Sequence, residues 1–211
     1  RLVSDWSSDV CSSDLALFAA VHERSAALGH DLLGITGIPH YYRQFGYTMA
    51  VDLDDHAIFH LSAVEDFPAD APPDMTLRPA TPADIPQIRR WNDRLAAERL
   101  LSDDYDAAAL TYDITGRASG YYPHVEYLIM VDASGLDVGY LVVIDSLKED
   151  YQLRCVSYVV GEESSYLAAF HPSMKALRAW AKARYGRVPE MLYFYPGLHE
   201  TVDRSEERRV G

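Results

Sequence analysis

Cysteine is nearly absent from this chain of 211 residues, which contains only Cys11 and Cys155. So few thiols cannot build a thiolate metal cluster, and we predict no disulfide and no metal site. The sequence also lacks any apolar run close to the ~20 residues that a membrane helix needs. These absences exclude a disulfide-stapled scaffold and favour a protein of a reducing compartment, so we expect a cytoplasmic protein without a membrane role.

Basic residues are also scarce, with 19 Lys and Arg against 32 Asp and Glu and a net charge of −13. Such a surface repels phosphate backbones and anionic lipid headgroups, so binding to nucleic acid or to a membrane surface is not expected. It attracts cationic amines. The same charge also keeps a protein soluble, and composition alone does not separate these two roles.

Both ends of the chain have an unusual composition. Residues 5–15 (DWSSDVCSSDL) back-translate to bases that resemble a sequencing adaptor, and residues 204–211 (RSEERRVG) back-translate to the reverse complement of part of that string, GCTCTTCCGATCT. A natural Ser/Asp linker and a charged tail are the alternative. We predict that residues 1–15 and 204–211 are adaptor-like artefacts without functional meaning.

The first native part of the chain contains helix and strand patterns. Residues 16–28 place apolar side chains on one helical face, and residues 31–38 and 47–53 are typical of short strands. Residues 54–67 extend the last strand, before the proline-rich residues 68–73 (PADAPP). We therefore predict a linker at residues 68–74.

A second set of patterns follows this linker. It predicts strands at residues 76–79, 127–131, 138–145, 153–160 and 191–195. It predicts helices at residues 81–97, 104–115 and 164–185. This succession indicates an α/β (α+β) fold.

Two segments resemble a known family. Residues 37–47 (GIPHYYRQFGY) resemble the strand-to-strand turn of the GNAT acyl-CoA N-acyltransferase superfamily, and residues 75–88 (MTLRPATPADIPQI) resemble its opening strand and helix. Because the segment that resembles a late part of the fold precedes the segment that resembles its start, the resemblance implies two domains in tandem. The resemblance thus implies a C-terminal remnant of a first GNAT domain at residues 16–67 and a second, C-terminally truncated GNAT-like domain at residues 75–203. The implied fold is a mixed, mostly antiparallel sheet flanked by helices.

The resemblance also implies a function for the parent protein. In this family an acetyl group passes from acetyl-CoA to an amine, here a small-molecule or peptide primary amine. Tyr42 matches the tyrosine that protonates the departing sulfur, while Tyr41 and Arg43 match positions near the cofactor. That both tyrosines only pack beneath the sheet edge is the alternative, and the sequence leaves open which of them faces the site.

Cofactor binding in the family depends on an Arg/Gln-x-x-Gly-x-Gly/Ala loop that holds the CoA diphosphate with backbone amides. In the first copy adaptor-like residues stand in its place before Ala16. In the second copy the residues are Gly161, Glu162 and Glu163, whose carboxylates repel an anion. We therefore expect this fragment to be inactive and its second domain to be degenerate. A non-catalytic interaction or ligand-binding module, including one that forms a homo-oligomer, is the competing hypothesis.

Two further patterns lead to weaker hypotheses. His56 and His60 have the i, i+4 spacing of a zinc site on a helix, but the residues between them are typical of a strand, so no metal is expected. Ser157 lacks the Gly-x-Ser-x-Gly elbow of a hydrolase nucleophile. Residues 16–53 can also complement the sheet of the second domain, whose final strands are missing, and 38 residues alone are too few to bury a stable core.

Overall fold

A computed structural model describes residues 12–35, 41–50, 57–99, 102, 105–116, 124–145 and 152–195. The chain divides into two compact units, residues 1–53 and residues 54–211. The domain boundaries inferred from the sequence remain a prediction.

The first unit contains helix α1 (Ser12–Ala27) and a 3₁₀ turn (Tyr41–Phe45). The helix confirms the predicted one and begins a few residues earlier, within the adaptor-like segment. The two predicted strands are wrong where the structure describes them, because residues 31–35 and 47–50 form no β-ladder; residues 36–38 and 51–53 lie outside the described residues. An apolar run becomes a strand only when a partner strand accepts its backbone hydrogen bonds.

The second unit is built on a six-stranded sheet with the order β1-β6-β5-β4-β3-β2. Its strands are β1 (Ala57–His60), β2 (Met75–Pro79), β3 (His124–Asp132), β4 (Asp137–Asp145), β5 (Gln152–Val160) and β6 (Met191–Phe194). Every pairing is antiparallel except that of β5 with β6. The predicted mixed, mostly antiparallel sheet is therefore confirmed. Strand β1 comes from the segment before the linker and pairs with β6 at the sheet edge.

Three helices follow the predicted pattern, namely α2 (Ile85–Ala97), α3 (Ala107–Thr111), which continues into a π turn (Tyr112–Gly116), and α4 (Tyr166–Tyr185). The entry to α2 is fixed by a capping box between Thr81 and Asp84. Helix α4 begins where Ser165 Oγ accepts a hydrogen bond from Ala168 N and ends at Gly186, whose φ of 73° suits a left-handed cap. In the part of the chain that the structure describes, no helix combines the length and apolarity needed to cross a bilayer.

The helices cover both faces of the sheet. Along β3, Leu128 and Met130 belong to the core that α4 covers, whereas Tyr127 and Ile129 belong to the core that α2 and α3 cover. This alternation is the period-two pattern of a strand buried on both faces. The sheet flanked by helices that the sequence predicts is thus confirmed.

Strand β5 is irregular near its middle. Val142 of β4 faces Ser157, but the next residue, Val143, faces Cys155, so Val156 is an extra residue in β5. The parallel pairing of β5 with β6 ends at the same place, since it joins residues 152–155 to residues 191–194. Among the described residues, the last part of β5 therefore has a strand partner in β4 alone.

Candidate functional site

A cavity of about 140 Å³ lies in the second unit, between the C-terminal half of α2 and the bulged part of β5. Its lining includes eight residues with polar side chains: Asn92, Arg99, Ser102, Tyr105, Tyr140, Ser157, Tyr158 and Tyr195. The bulge brings residues 156–159 to the wall of this cavity. A concave site with convergent polar groups is the default location for ligand binding in a structure of this kind.

The centre of the cavity is a tyrosine-asparagine pair. The Tyr140 hydroxyl donates a hydrogen bond of 2.5 Å to Asn92 Oδ1. The other end of this amide, Asn92 Nδ2, is buried and has no hydrogen-bond partner among the described residues. An unsatisfied buried donor costs about 1–3 kcal/mol, so this contact favours a fixed position of the Asn92 side chain over stability.

Stacked aromatic rings hold this pair in place. The Tyr140 ring lies between Trp91 and Tyr127, with centroid distances of 6.2 and 5.9 Å and interplanar angles of 22° in both cases. Burial raises the pKa of Tyr140 above its usual value, against the opposing effect of its contacts with Ser157 and Asn92. Tyr140 is therefore a neutral hydrogen-bond donor at physiological pH rather than a base.

Residues 161–165, where the resemblance implies a degenerate diphosphate loop, lie between β5 and α4. Gly161 N donates to Val138 O at 2.8 Å, and the Glu163 carboxylate accepts a long hydrogen bond of 3.4 Å from Trp91 Nε1. A Cβ atom on Gly161 would lie 2.3 Å from both Glu163 Oε2 and Trp91 Nε1, so Glu163 packs against the glycine backbone. Glu162 is exposed. The Glu163 carboxylate thus occupies the space beside Gly161.

The residues predicted from the first-unit motif lie in the 3₁₀ turn of that unit. The Tyr41 hydroxyl donates to Asp14 at 3.2 Å, and the Tyr41 and Tyr42 rings meet edge to face at 5.1 Å. Phe18 packs against the edge of Tyr42 at 5.9 Å, and Arg43 is exposed. The structure therefore brings both tyrosines together on α1, and their chemical roles remain predictions.

Several polar residues of the cavity were not found from the sequence. Asn92 interrupts an apolar stripe formed by Ile85, Ile88 and Leu95 on α2, and a polar residue at such a position was the available signal. Arg99 lies beyond the end of α2, and no local sequence pattern marks it as a site residue. In the first unit, the hydrogen bond of 3.1 Å between His22 Nε2 and the Tyr47 hydroxyl was also missed.

The weaker sequence hypotheses involve His60 and Ser157. Ala57–His60 forms a strand, as predicted, while His56 lies outside the described residues. The predicted extension of this strand to residue 67 is wrong, because a 3₁₀ turn at Leu61–Ala63 ends it and residues 64–67 form no strand. Within the described ranges, no group of three or more His, Cys, Asp or Glu side chains could hold a metal ion. Ser157 lies in the cavity wall.

Cys155, two residues before Ser157, is completely buried. Burial raises the pKa of the Cys155 thiol to about 12, which makes this thiol a poor nucleophile.

No protein-family model matches this sequence, and no curated protein is significantly similar to it. Similar solved structures include an apo nucleotide-linked sugar GNAT, which is 14% identical with a TM-score of 0.47 over 66% of this chain and 78% of that chain. A mutant spermidine N-acetyltransferase from Vibrio cholerae is 12% identical with a TM-score of 0.45, over 65% of this chain and 78% of that chain. An acetyltransferase from Thermus thermophilus is 18% identical with a TM-score of 0.42, over 65% of this chain and 85% of that chain.

Proposed function

We propose that this chain is part of a tandem GNAT-type N-acetyltransferase, which transfers an acetyl group from acetyl-CoA to a primary amine. One observation supports the proposal beyond the sequence motifs: in the second unit β5 bulges at Val156, where its described pairing with β6 ends beside a polar cavity. We propose that the complete first copy has the same bulged strand and offers its backbone N–H groups to the carbonyl oxygen of the acetyl group, which stabilises an acyl-transfer transition state, while the second unit keeps this geometry without the activity.

In the parent protein we assign the chemistry to the first copy. Tyr42 is the proposed acid that protonates the departing thiolate, and Tyr41 and Arg43 are the proposed cofactor contacts. Support comes from the turn that holds both tyrosines side by side at 5.1 Å and leaves Arg43 exposed for an anionic ligand. The net charge of −13 favours a cationic acceptor such as a polyamine or a lysine side chain, in a cytoplasmic setting.

Substitution of the two tyrosines in the parent protein tests these roles. We expect Tyr42→Phe to lower kcat for acetyl transfer by about 10- to 100-fold, since loss of a general acid removes part of a typical catalytic contribution. Tyr41→Phe, which changes a proposed cofactor contact, should mainly raise the KM for acetyl-CoA. Tyr112→Phe, at an exposed tyrosine of the second unit, is the control and should leave kcat within about twofold. A lower kcat in Tyr41→Phe alone would assign the acid role to Tyr41 and the contact role to Tyr42. An unchanged kcat in both Tyr41→Phe and Tyr42→Phe would mean that the two tyrosines only pack.

The second unit does not fit the diphosphate of CoA. Glu163 packs against Gly161 at the position of the loop, and Ser165 already caps the N-terminus of α4. A carboxylate beside the phosphates would replace several charge-assisted hydrogen bonds, each worth about 1.5–3 kcal/mol, with repulsion. We therefore propose that the second unit keeps the fold without the cofactor and that this chain alone is inactive.

Calorimetric titration of this chain with acetyl-CoA tests that proposal. We expect no binding in the micromolar range. A parent protein that contains the complete first copy is the positive control, and it should bind acetyl-CoA and then acetylate members of a small amine panel. Micromolar binding of acetyl-CoA to the present chain would disprove the cofactor-free second unit.

A non-catalytic ligand-binding module is the second candidate function. It is favoured by the cavity of the second unit and by its polar lining. In this case the second unit contributes binding to the parent protein, either of a ligand or of a second copy of the chain. Light scattering over a concentration series would show whether a homo-oligomer forms.

A further inference from the structure

The first unit exposes an apolar surface along helix α1. Leu17, Val21 and Leu28 are 62%, 43% and 53% exposed, although large apolar side chains are usually buried in a folded protein. Leu28 continues the helical path beyond Ala27, because its N–H donates to Arg24 O at 3.1 Å. A contiguous exposed apolar surface of this kind marks a place where another surface binds.

The exposed residues belong to one stripe of α1, whose members follow one another in alternating steps of three and four residues: Asp14, Leu17, Val21, Arg24 and Leu28. This spacing is the seven-residue repeat of helices that pair with other helices. Phe18 and His22 lie outside the stripe and pack against Tyr42 and Tyr47. The partner that suits such a stripe is therefore a second helix.

The charges of the stripe select the partner helix and its direction. Asp14 lies in the first turn of α1 and Arg24 in the last turn. If two copies of α1 paired in parallel, each of these charges would face its own counterpart, and like charges repel. If the copies pair in antiparallel and Leu17 lies opposite Val21, the same spacing places Asp14 opposite Arg24. The stripe is thus complementary in charge to an antiparallel copy of itself.

A groove beside the stripe supplies a complementary shape. It has a volume of about 390 Å³, and Ala20, Val21 and Arg24 form part of its lining. In the antiparallel arrangement, Leu17 of the second copy lies opposite Val21 and enters this groove as a knob enters a hole of the facing helix. A two-fold axis repeats the contact, so each copy inserts one leucine and accepts one.

We propose that two copies of this chain associate through α1, in an antiparallel pair that joins Asp14 to Arg24 and Leu17 to Val21 across a two-fold axis. The inference goes beyond acetyl transfer and depends neither on that activity nor on the cavity of the second unit. Because Asp14 belongs to the adaptor-like segment, the proposal concerns the present chain. The paired stripe is short, so the expected dissociation constant is on the order of 0.1–1 mM.

Sedimentation equilibrium of the full chain, from about 10 µM to about 2 mM, tests the proposal. We expect a monomer–dimer equilibrium without larger species, because a two-fold contact closes on itself. Leu17→Lys should leave the chain monomeric, whereas Leu167→Lys, at a residue of α4 that is 79% exposed, should leave the equilibrium unchanged. A monomeric parent chain, a dimer that survives Leu17→Lys, or an equal loss of the dimer in both lysine variants would overturn the proposal.

Charge reversals test the direction of pairing. Asp14→Arg and Arg24→Asp should each weaken dimerisation by at least about tenfold, because each variant places two pairs of like charges together. The double variant Asp14→Arg/Arg24→Asp should restore the dimer, although it lacks the hydrogen bond from Tyr41 to Asp14 as much as the single Asp14→Arg variant does. A double variant as weak as the single variants would overturn the antiparallel arrangement.

Flotation with phosphatidylcholine vesicles tests a lipid surface as the other occupant of the stripe. We expect the chain to remain unbound, since neither the spacing of the charges nor the groove is needed for contact with lipid. Flotation of a monomeric chain that Leu17→Lys prevents would assign the stripe to lipid and overturn the dimer.

Discussion

At the scale of single residues, Arg78 shows why a sequence motif can be specific without being catalytic. Its guanidinium contacts Asp84 at 2.8 and 2.9 Å and Asp137 at 2.6 Å. Asp84 also accepts hydrogen bonds from Thr81 N and Thr81 Oγ1. The Arg-Pro-Ala-x-x-x-Asp spacing that identified the opening segment thus joins β2, the start of α2 and the start of β4.

The first prediction concerns the Asp84 carboxylate. Hydrogen bonds from Arg78 lower the pKa of Asp84 from 3.8 to about 2. Because the folded pKa lies below the unfolded one, this stabilisation is present above pH 4 and is lost as the pH falls from about 4 to 2. We expect Asp84→Asn to lower the free energy of unfolding by about 1–3 kcal/mol at pH 7 and to flatten its dependence on pH in that window, measured by urea denaturation. The exposed Asp93→Asn is the control, and an equal loss there would contradict the role of the network.

The second prediction concerns Gly139, where two strands approach closely. A Cβ atom at Gly139 would lie 2.2 Å from Val159 O and 2.6 Å from Met130 Cε. Gly139→Ala should therefore destabilise the second unit by more than about 2 kcal/mol, since a backbone oxygen cannot move aside easily. Gly135→Ala meets no atom within 4 Å but has a φ of +85°, so backbone strain alone should cost about 1 kcal/mol. Thermal melts of both variants test this order, and equal losses would argue against the steric cause.

At the scale of elements, local patterns predicted the second unit well and the first unit poorly. The strands predicted at residues 127–131 and 138–145 are present as His124–Asp132 and Asp137–Asp145, and they pair as a hairpin. Their apolar patterns and the turn between them are local, so the sequence contains the information. The predicted strand at 31–38 is wrong over its described residues 31–35, because pairing requires a partner that no local pattern reveals. The pairing of β1 with β6 was missed for the same reason, since its partners are far apart in sequence.

The candidate site follows the same distinction between local and long-range information. The interruption of an apolar stripe by Asn92 was readable from the sequence, although its meaning was not. Its hydrogen bond to Tyr140 joins residues 48 positions apart, and the bulge at Val156 depends on the register between β4 and β5. Contacts of this kind arise from tertiary packing, which periodicity does not encode.

The third prediction tests whether the segment before the linker belongs to the core of the second unit. Leu61 is completely buried, and its N–H donates to Glu190 O at 2.9 Å. We expect Leu61→Ala to cost about 2–5 kcal/mol in a urea denaturation experiment, because it leaves a cavity in the core. Ile58→Ala is the matched control, since Ile58 is 47% exposed and should cost less than about 1 kcal/mol. A neutral Leu61→Ala variant would exclude the segment from the core.

At the scale of the whole molecule, the two units differ in how much apolar surface they bury. In the described residues of the first unit only Ser25 is buried, whereas Leu17, Leu32 and Met49 are 62%, 65% and 80% exposed. The second unit contains two hydrophobic cores. Because stability follows buried apolar area, the free energy needed to open the first unit should be much smaller.

The last prediction follows from this difference and decides between two views of the first unit. Complementation of the second unit's sheet by residues 16–53, which the sequence alone suggests, would protect the amides of that segment. Residues 31–35 and 47–50 form no β-ladder, so we expect the amides of these residues to exchange with solvent within seconds to minutes, while those of β4 and β5 stay protected for hours or longer. Peptide-level hydrogen exchange measures both in one sample, with β4 as the internal reference. Protection of residues 31–50 comparable to that of β4 would restore the complementation hypothesis, because only hydrogen bonding within a stable sheet slows exchange to that degree.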